Sequence, residues 1–361
     1  PGKTNIKSIE LESGHSLLQT SFDDLTQGIN LKDLMPGQVG TPLLHQENSK
    51  DIFVGWATRE IDPDEMPDHL IQTWFLGIAH MAEDSNSEGE ADLTTKYNTN
   101  MDLKQLISTF LMGSIPYLQS TSIHLDLENG LATSNNSEAS TPYTDLQHQW
   151  DIAFGYFGSP INANTLEITQ LKDNAYFDIN NDKTIDLTGE YNFYFSNNAA
   201  TRDADATLFD TRFHRNIQSD FLSGRALIDY QVHNNSLELG DLQTELSQIK
   251  NSILDNWDDA IAAKMIHHIN NIGAIAPNWE VNDIYNRSYL YHWSELKALA
   301  AILQFNIHSK IDIETIIDIH SDITHEPNKT NLINTFLGKL FNLRAKLGAT
   351  YNFSQEAIEF W

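Results

Sequence analysis

Apolar residues recur at helical spacing in the longer segments of this chain. At roughly 100° per residue, residues 257–272, 292–303 and 332–347 each place their large apolar side chains on one face. Strand-type alternation is scarce and is confined to residues 3–12 and 121–127. The pattern therefore predicts an all-α protein with long loops.

The other helical segments are shorter, and polar stretches separate them. The predicted helices cover residues 67–83, 101–120, 142–155, 189–200, 206–234, 238–249, 257–272, 292–303 and 312–323, with a last helix that ends at Gly348. Residues 84–100 and 128–141 are rich in Ser, Asn and Glu and are predicted to be exposed loops. We expect one large helical domain over residues 1–361, or two packed bundles at about 1–175 and 191–361, joined by a loop at 178–190.

The composition restricts the partners and the metal ligands. With 50 Asp and Glu residues against 22 Lys and Arg, the net charge is −28, which disfavours nucleic acid and favours cations. Cys is absent, so the chain has no disulfide and no thiolate ligand, and His, Asp, Glu, Asn and backbone carbonyls remain. No apolar run approaches the roughly 18 residues that a membrane-spanning helix needs.

One Asp- and Asn-rich segment has the spacing of an EF-hand calcium loop. Oxygen ligands stand at alternate positions of this segment, which are Asp178, Asn180, Asp182, the Thr184 carbonyl and Asp186, with Glu190 following. Lys183 occupies the place where an EF-hand loop has Gly, and Glu190 comes one residue later than the usual glutamate. We predict a calcium site here, and the alternative is an ion-free turn, because Asp and Asn are common in turns.

A second candidate site combines histidine with carboxylate. His292 and Glu295 are three residues apart on a predicted helix, so both can reach one ion or each other. His148 and His268 are the candidate partners, and imidazole with carboxylate suits Fe, Zn or Cu. The alternative is a core histidine that hydrogen-bonds its neighbour. Nucleotide-binding, zincin and serine hydrolase motifs do not occur in the sequence.

Four blocks in residues 140–310 carry a resemblance to a known family. The blocks are the segment Trp150-Asp-Ile-Ala-Phe-Gly-Tyr-Phe-Gly158, the loop Asp178–Glu190 with Asn197–Asp203, the helix Trp257–Asn270, and the segment His292–Asn306. Together they resemble the bacterial exported lipoproteins called domain of unknown function 4856. That family is in turn similar to imelysin-like proteins. The resemblance implies an imelysin-like helical bundle, export to the periplasm or cell surface, and a lipid anchor upstream of Pro1.

These observations leave three functions open. The first is an exported calcium-binding protein that handles metals or nutrients at the cell envelope, with an outer-membrane or envelope partner. The second is an imelysin-like metallopeptidase, in which an ion at the His292-x-x-Glu295 motif activates water. The third is a structural or adhesion protein that binds calcium only. We expect a binding protein rather than an enzyme, and we assign no catalytic residue.

Overall fold

The chain is mostly helical, as predicted. The computed structural model describes residues 11–12, 14–21, 24, 26, 28–35, 53, 67–85, 101–137, 140–204, 210–234, 238–275, 283–327 and 333–361. Its α-helices are α1 (Pro67–Ser85), α2 (Leu103–Met112), α3 (Asp145–Phe157), α4 (Ile168–Asp173), α5 (Tyr194–Ala204), α6 (Phe213–His233), α7 (Leu239–Ile275), α8 (Asp283–Ile302), α9 (Ile313–Ile323), α10 (Ile333–Thr350) and α11 (Gln355–Phe360). Two short strands, β1 (Ser16–Leu17) and β2 (Thr184–Ile185), pair in parallel.

The chain divides into two compact units, and each unit contains two stretches of chain. The first unit comprises residues 1–34 and 119–257, and the second comprises residues 35–118 and 258–361. The sequence suggested a division at the loop 178–190, whereas this loop lies inside the first unit. Helix α7 contributes residues to both units.

In the first unit, α3 packs closely against α6. A Cβ atom on Gly224 would lie 2.1 Å from the indole of Trp150, so only glycine allows this approach. The indole N–H of Trp150 donates to the carbonyl oxygen of Phe221 at 2.8 Å. A capping box of Thr144 and Gln147 begins α3, and Gly158 ends it in the left-handed conformation at φ 79°.

In the second unit, α2 and α8 form a buried apolar layer. Phe110 on α2 meets the ring of Phe305 edge to face at 5.7 Å. A Cβ atom on Gly113 would lie 2.0 Å from Ile302, so the backbone of this segment approaches α8 closely. The indole of Trp293 donates to the Ile323 carbonyl at 3.1 Å and so connects α8 to α9.

The predicted strand at 121–127 is wrong, because residues 121–124 are helical and residues 125–127 form a bend and a turn. Residues 113–117 and 119–124 form π-helical turns that continue α2. Pro116 lies within the first of these turns. Proline removes a backbone donor and crowds the preceding turn, and a wider helix relieves that crowding. The other predicted strand, at 3–12, lies almost wholly outside the described residues.

Two predicted helix ends are also wrong. The segments 238–249 and 257–272 belong to the single helix α7, because the polar residues between them include neither Gly nor Pro. Gly348 does not end α10, which continues to Thr350. A Cβ atom on Gly348 would lie 2.2 Å from Ile358, so this glycine makes room for α11.

Candidate functional site

The loop between α4 and α5 is organised by hydrogen bonds from its own backbone. The carboxylate of Asp178 accepts the N–H groups of Asp182 at 3.1 Å and Lys183 at 3.0 Å. Asn180 Oδ1 accepts the same Asp182 N–H at 3.0 Å, and Asp182 Oδ1 accepts that of Thr184 at 2.6 Å. These bonds hold the segment 178–184 in a compact turn.

Two residues of the turn adopt a left-handed backbone conformation. Asn181 has φ 58° and Lys183 has φ 66°. Asn tolerates this region, whereas a long side chain such as Lys adopts it at a cost of roughly 1 kcal/mol or more. Lys183 thus takes the conformation that glycine would take at the same place in the predicted calcium loop.

Glu190 braces the loop from the inside. Its side chain is buried, with 6% of the residue exposed. Its Oε1 accepts the N–H of Ile179 at 2.9 Å, and its Oε2 accepts that of Asp186 at 2.8 Å. The two oxygens therefore bind the loop backbone near its start, at Ile179, and near its end, at Asp186. This role differs from that of the usual EF-hand glutamate, which stands one position earlier in the loop.

The loop is joined to a segment near the N-terminus, which the sequence did not predict. Ser16 N–H donates to the Lys183 carbonyl at 2.9 Å, and Leu18 N–H donates to that of Ile185 at 3.0 Å. Gln19 then donates through Nε2 to Asp186 Oδ1 at 2.7 Å and accepts the Leu187 N–H at 2.9 Å. Residues 16–19 are in this way held along one edge of the loop.

The loop carries more negative than positive charge. Among the described residues, no Lys or Arg forms an ion pair with its four carboxylates, and His15 Nε2 lies 3.4 Å from Asp178 Oδ2. Partial burial would raise the pKa of Asp186, but hydrogen bonds from Thr188 and Gln19 lower it overall. As the side chains stand, the part of the chain that the structure describes contains no three His, Asp or Glu that could together hold a metal ion.

The second candidate site is a buried polar cluster between α7 and α8, which we call the Glu295 cluster. It consists of Glu295, Lys264, Gln105, His268 and His292 and lies in the second unit. Glu295 Oε2 is 2.8 Å from Lys264 Nζ, and its Oε1 accepts an N–H from Gln105 Nε2 at 2.5 Å. The Glu295 side chain is only 1% exposed. A lysine cation, which we did not predict, thus neutralises this carboxylate.

Electrostatics keep Glu295 ionised in spite of its burial. Burial alone would raise the pKa of Glu295, but the charge of Lys264 and the contact with His268 hold it well below its usual range. His268 Nε2 lies 3.3 Å from Glu295 Oε2, without the geometry of a full hydrogen bond. Burial lowers the pKa of His268 to about 3 and that of His292 to about 4, so both rings are neutral at pH 7.

The two imidazoles of the cluster bind each other. Their Nδ1 atoms are 2.9 Å apart, so one ring donates and the other accepts. The nearby Glu295 carboxylate favours a proton on His268 Nε2, and in that tautomer His292 is the donor. His292, Glu295 and His268 are therefore brought together, whereas His148 lies in the first unit, stacked on Tyr143 at 4.8 Å.

A third polar group, which the sequence did not indicate, surrounds His214 in the first unit. Its Nε2 lies 2.9 Å from Ser196 Oγ and 3.3 Å from Ser159 Oγ. Burial lowers the pKa of His214 to about 3. An imidazole with so low a pKa is a weak general base at neutral pH, so it would activate neither serine as a nucleophile.

Comparison of the chain with protein-family models, with curated proteins and with solved structures gives no match. These comparisons give no support to the resemblance to domain of unknown function 4856 or to imelysin-like proteins. Within the described residues, no helix has both the length and the hydropathy of a membrane span.

Proposed function

We propose that the protein is a calcium-binding helical protein, whose loop 178–190 binds one ion and thereby fixes the adjoining N-terminal segment. The observation that carries this proposal is the preformed turn, in which backbone N–H groups orient Asp178, Asn180 and Asp182 at alternate positions. Calcium takes about six to eight oxygen ligands in flexible geometry, and alternate residues of a tight loop can supply them.

The proposed ligands are Asp178, Asn180, Asp182, the Thr184 carbonyl and Asp186, with water completing the shell. Glu190 has a bracing role, since both of its oxygens accept backbone N–H groups. The backbone N–H groups set the turn, and binding then requires the side-chain oxygens to turn toward one ion through lone pairs that these hydrogen bonds leave open. The negative charge of four carboxylates in one short loop favours this step, because it compensates the charge of the ion.

We do not extend the proposal to a transition metal at His292 and Glu295. The ammonium group of Lys264 lies 2.8 Å from Glu295 and supplies the positive charge that an ion would otherwise supply. A cation added there would compete with this ion pair. The interpretation as a calcium-only structural protein is thus favoured over the metallopeptidase and over transition-metal handling.

Calcium titration with a matched pair of variants tests the proposal. Asp182→Ala removes one proposed ligand, and Asp173→Ala removes another exposed carboxylate at the end of α4. Calorimetry should give one calcium site in the unmodified chain and in Asp173→Ala, with affinity reduced at least about tenfold in Asp182→Ala. Equal affinities in both variants, or no calcium uptake by the unmodified chain, would contradict the proposal.

A further inference from the structure

A cleft of about 570 Å³ opens in the first unit, beside the end of the loop 178–190. Helices α3 and α6 form two of its walls, and the end of the loop contributes Leu187 and Thr188. Pockets that bind small molecules usually measure roughly 300–1,000 Å³. The cleft therefore has the size of a small-molecule site.

The cleft is lined by aromatic and aliphatic side chains, several of them unusually exposed. Ile161 is 65% exposed, Leu222 42% and Phe193 38%, and all three line the cleft. At its base, Phe154 meets Phe221 edge to face at 5.4 Å. Large apolar side chains that are exposed together mark an interaction site more often than they mark ordinary surface.

One residue that lines the cleft is a glycine inside a helix, with open space beside it. Gly155 lies inside α3, and a Cβ atom there would have nothing within 4 Å. Glycine is a poor helix former, so its place in α3 is not explained by helix stability. Unlike Gly224, it is not required by a close neighbour either. Its structural consequence is additional space in the cleft.

The charged side chains in and beside the cleft carry a net negative charge. Asp151 and Arg225 line the cleft, and Asp229 lies next to Arg225 without lining it. Arg225 Nε donates to Asp151 Oδ1 at 2.9 Å, and its Nη1 donates to Asp229 Oδ1 at 3.3 Å. Two carboxylates thus face one guanidinium group. The whole chain carries a net charge of −28, which adds to the attraction for cations. Aromatic ring faces also attract cations.

We propose that this cleft binds a small organic cation with an apolar body. Its ammonium group lies beside Asp151, and its apolar part packs against Phe154, Tyr191 and Phe193. The site is separate from the proposed calcium ligands. The inference goes beyond the calcium proposal and does not depend on it.

Calorimetry with three isosteric probes tests the charge preference. The probes are 4-phenylbutylamine as the cation, 4-phenylbutan-1-ol as the neutral form and 4-phenylbutyrate as the anion, all at pH 7.5. The cation should bind about tenfold more tightly than the alcohol, and the anion most weakly. Equal or stronger binding of the alcohol or the anion would overturn the proposal, as would the absence of binding by the cation.

Three variants and one control locate the site. Gly155→Leu should abolish binding of 4-phenylbutylamine, whereas Gly338→Leu, at a second helical glycine with open space, should leave it unchanged. Asp151→Asn should weaken binding about tenfold, and Arg225→Gln should strengthen it, because it removes the competing cation. Equal affinities in the two Leu variants, or changes of the same sign at Asp151 and Arg225, would overturn the assignment. Circular dichroism of each variant establishes that it is folded.

Discussion

The loop 178–190 and the Glu295 cluster both concentrate acidic and polar side chains, but they neutralise their charge in different ways. In the loop, the partners of the carboxylates are mainly backbone N–H groups, which orient them without cancelling their charge. In the Glu295 cluster, a single buried carboxylate lies 2.8 Å from a lysine ammonium. The loop is left with a surplus of negative charge, and the cluster is not.

This contrast separates two sequence patterns that look equally capable of binding a metal. A histidine and a glutamate three residues apart resemble a ligand pair, yet a lysine from the neighbouring helix can take the place of the ion. In the tight turn of alternating Asp and Asn residues, no lysine of the described residues takes the place of an ion in this way. A short loop holds its oxygens on one side of the backbone. We therefore propose that the source of the compensating positive charge decides which of the two sites would bind an ion.

Lys264→Met should give the largest effect, since it leaves Glu295 buried without its cation. We expect the free energy of unfolding at pH 7 to fall by roughly 3–5 kcal/mol, the usual cost of an uncompensated buried charge. Urea unfolding followed by circular dichroism measures this loss. The double variant Lys264→Met/Glu295→Gln should recover most of it, because no charge then remains buried.

The exposed pair Lys346 and Asp318 provides the control for this experiment. Its side chains are 43% and 69% exposed, and its atoms are 3.2 Å apart. Lys346→Met should cost less than about 1 kcal/mol, as is usual for surface ion pairs. If Lys264→Met costs no more than Lys346→Met, the lysine does not neutralise Glu295.

Because the histidines of the Glu295 cluster are buried in their neutral form, we predict that the protein loses stability in mild acid. Burial lowers the pKa of His268 from its ordinary value of 6.5 to about 3. Between these values the unfolded chain binds the proton and the folded chain does not, so the free energy of unfolding falls as the pH drops below about 6.5. The slope for one such group is about 1.4 kcal/mol per pH unit.

Unfolding of His268→Gln at pH 7 and pH 5 checks this dependence. The variant should lose less stability over this interval than the unmodified chain, by about 2 kcal/mol. An identical pH dependence in both proteins would mean that His268 becomes protonated in the folded state. The neutral imidazole pair would then be wrong.

Lys183→Gly should strengthen the loop by a smaller amount. It removes a left-handed lysine, with a gain of about 1 kcal/mol, and it also removes a positive charge beside the proposed ion. We expect calcium affinity to rise about fivefold in calorimetry. Asn181→Gly is the control, because Asn tolerates its φ of 58°. A weaker affinity in Lys183→Gly would show that the lysine supports the turn.

Gln19→Ala should have the smallest effect, because it removes the two hydrogen bonds of the Gln19 side chain and leaves the backbone bonds of Ser16 and Leu18 to the loop. The Leu187 N–H, which donates to Gln19 Oε1 at 2.9 Å, should exchange with solvent about fivefold faster. Hydrogen exchange followed by NMR measures this rate. Exchange at Leu146 N–H, which donates to the Ser134 carbonyl at 3.0 Å, should not change. An unchanged rate at Leu187 would contradict the hydrogen bond between Leu187 and Gln19.

The helices and the alternating oxygen side chains of the loop could be predicted from the sequence, because each depends on the spacing of residues that are close together in the chain. The apolar stripe at 257–272 and the alternating oxygens of Asp178–Asp186 are both periodic over short distances. The comparison with an EF-hand loop identified Lys183 as a lysine at a glycine position, and the structure gives this residue a left-handed φ of 66°, which the comparison did not predict. Local patterns of this kind predict secondary structure without knowledge of the tertiary contacts.

The partners of the sites could not be predicted, because they come from distant parts of the chain. Lys264 meets Glu295 only after α7 and α8 pack, and Gln19 meets Asp186 across 167 residues. One signal was present, since Lys264 and His268 are four residues apart and share a helix face. That spacing does not indicate where Glu295 lies relative to Lys264. The lysine could therefore not be distinguished from a solvated surface residue.

Metal content, measured by mass spectrometry after dialysis against calcium, zinc and iron together, tests the contrast most directly. We expect one calcium per chain and no zinc or iron, with the calcium lost in Asp182→Ala and retained in Glu295→Gln. A chain that takes up zinc or iron, and loses it on His292→Ala, would contradict this account, as would a chain that takes up no calcium.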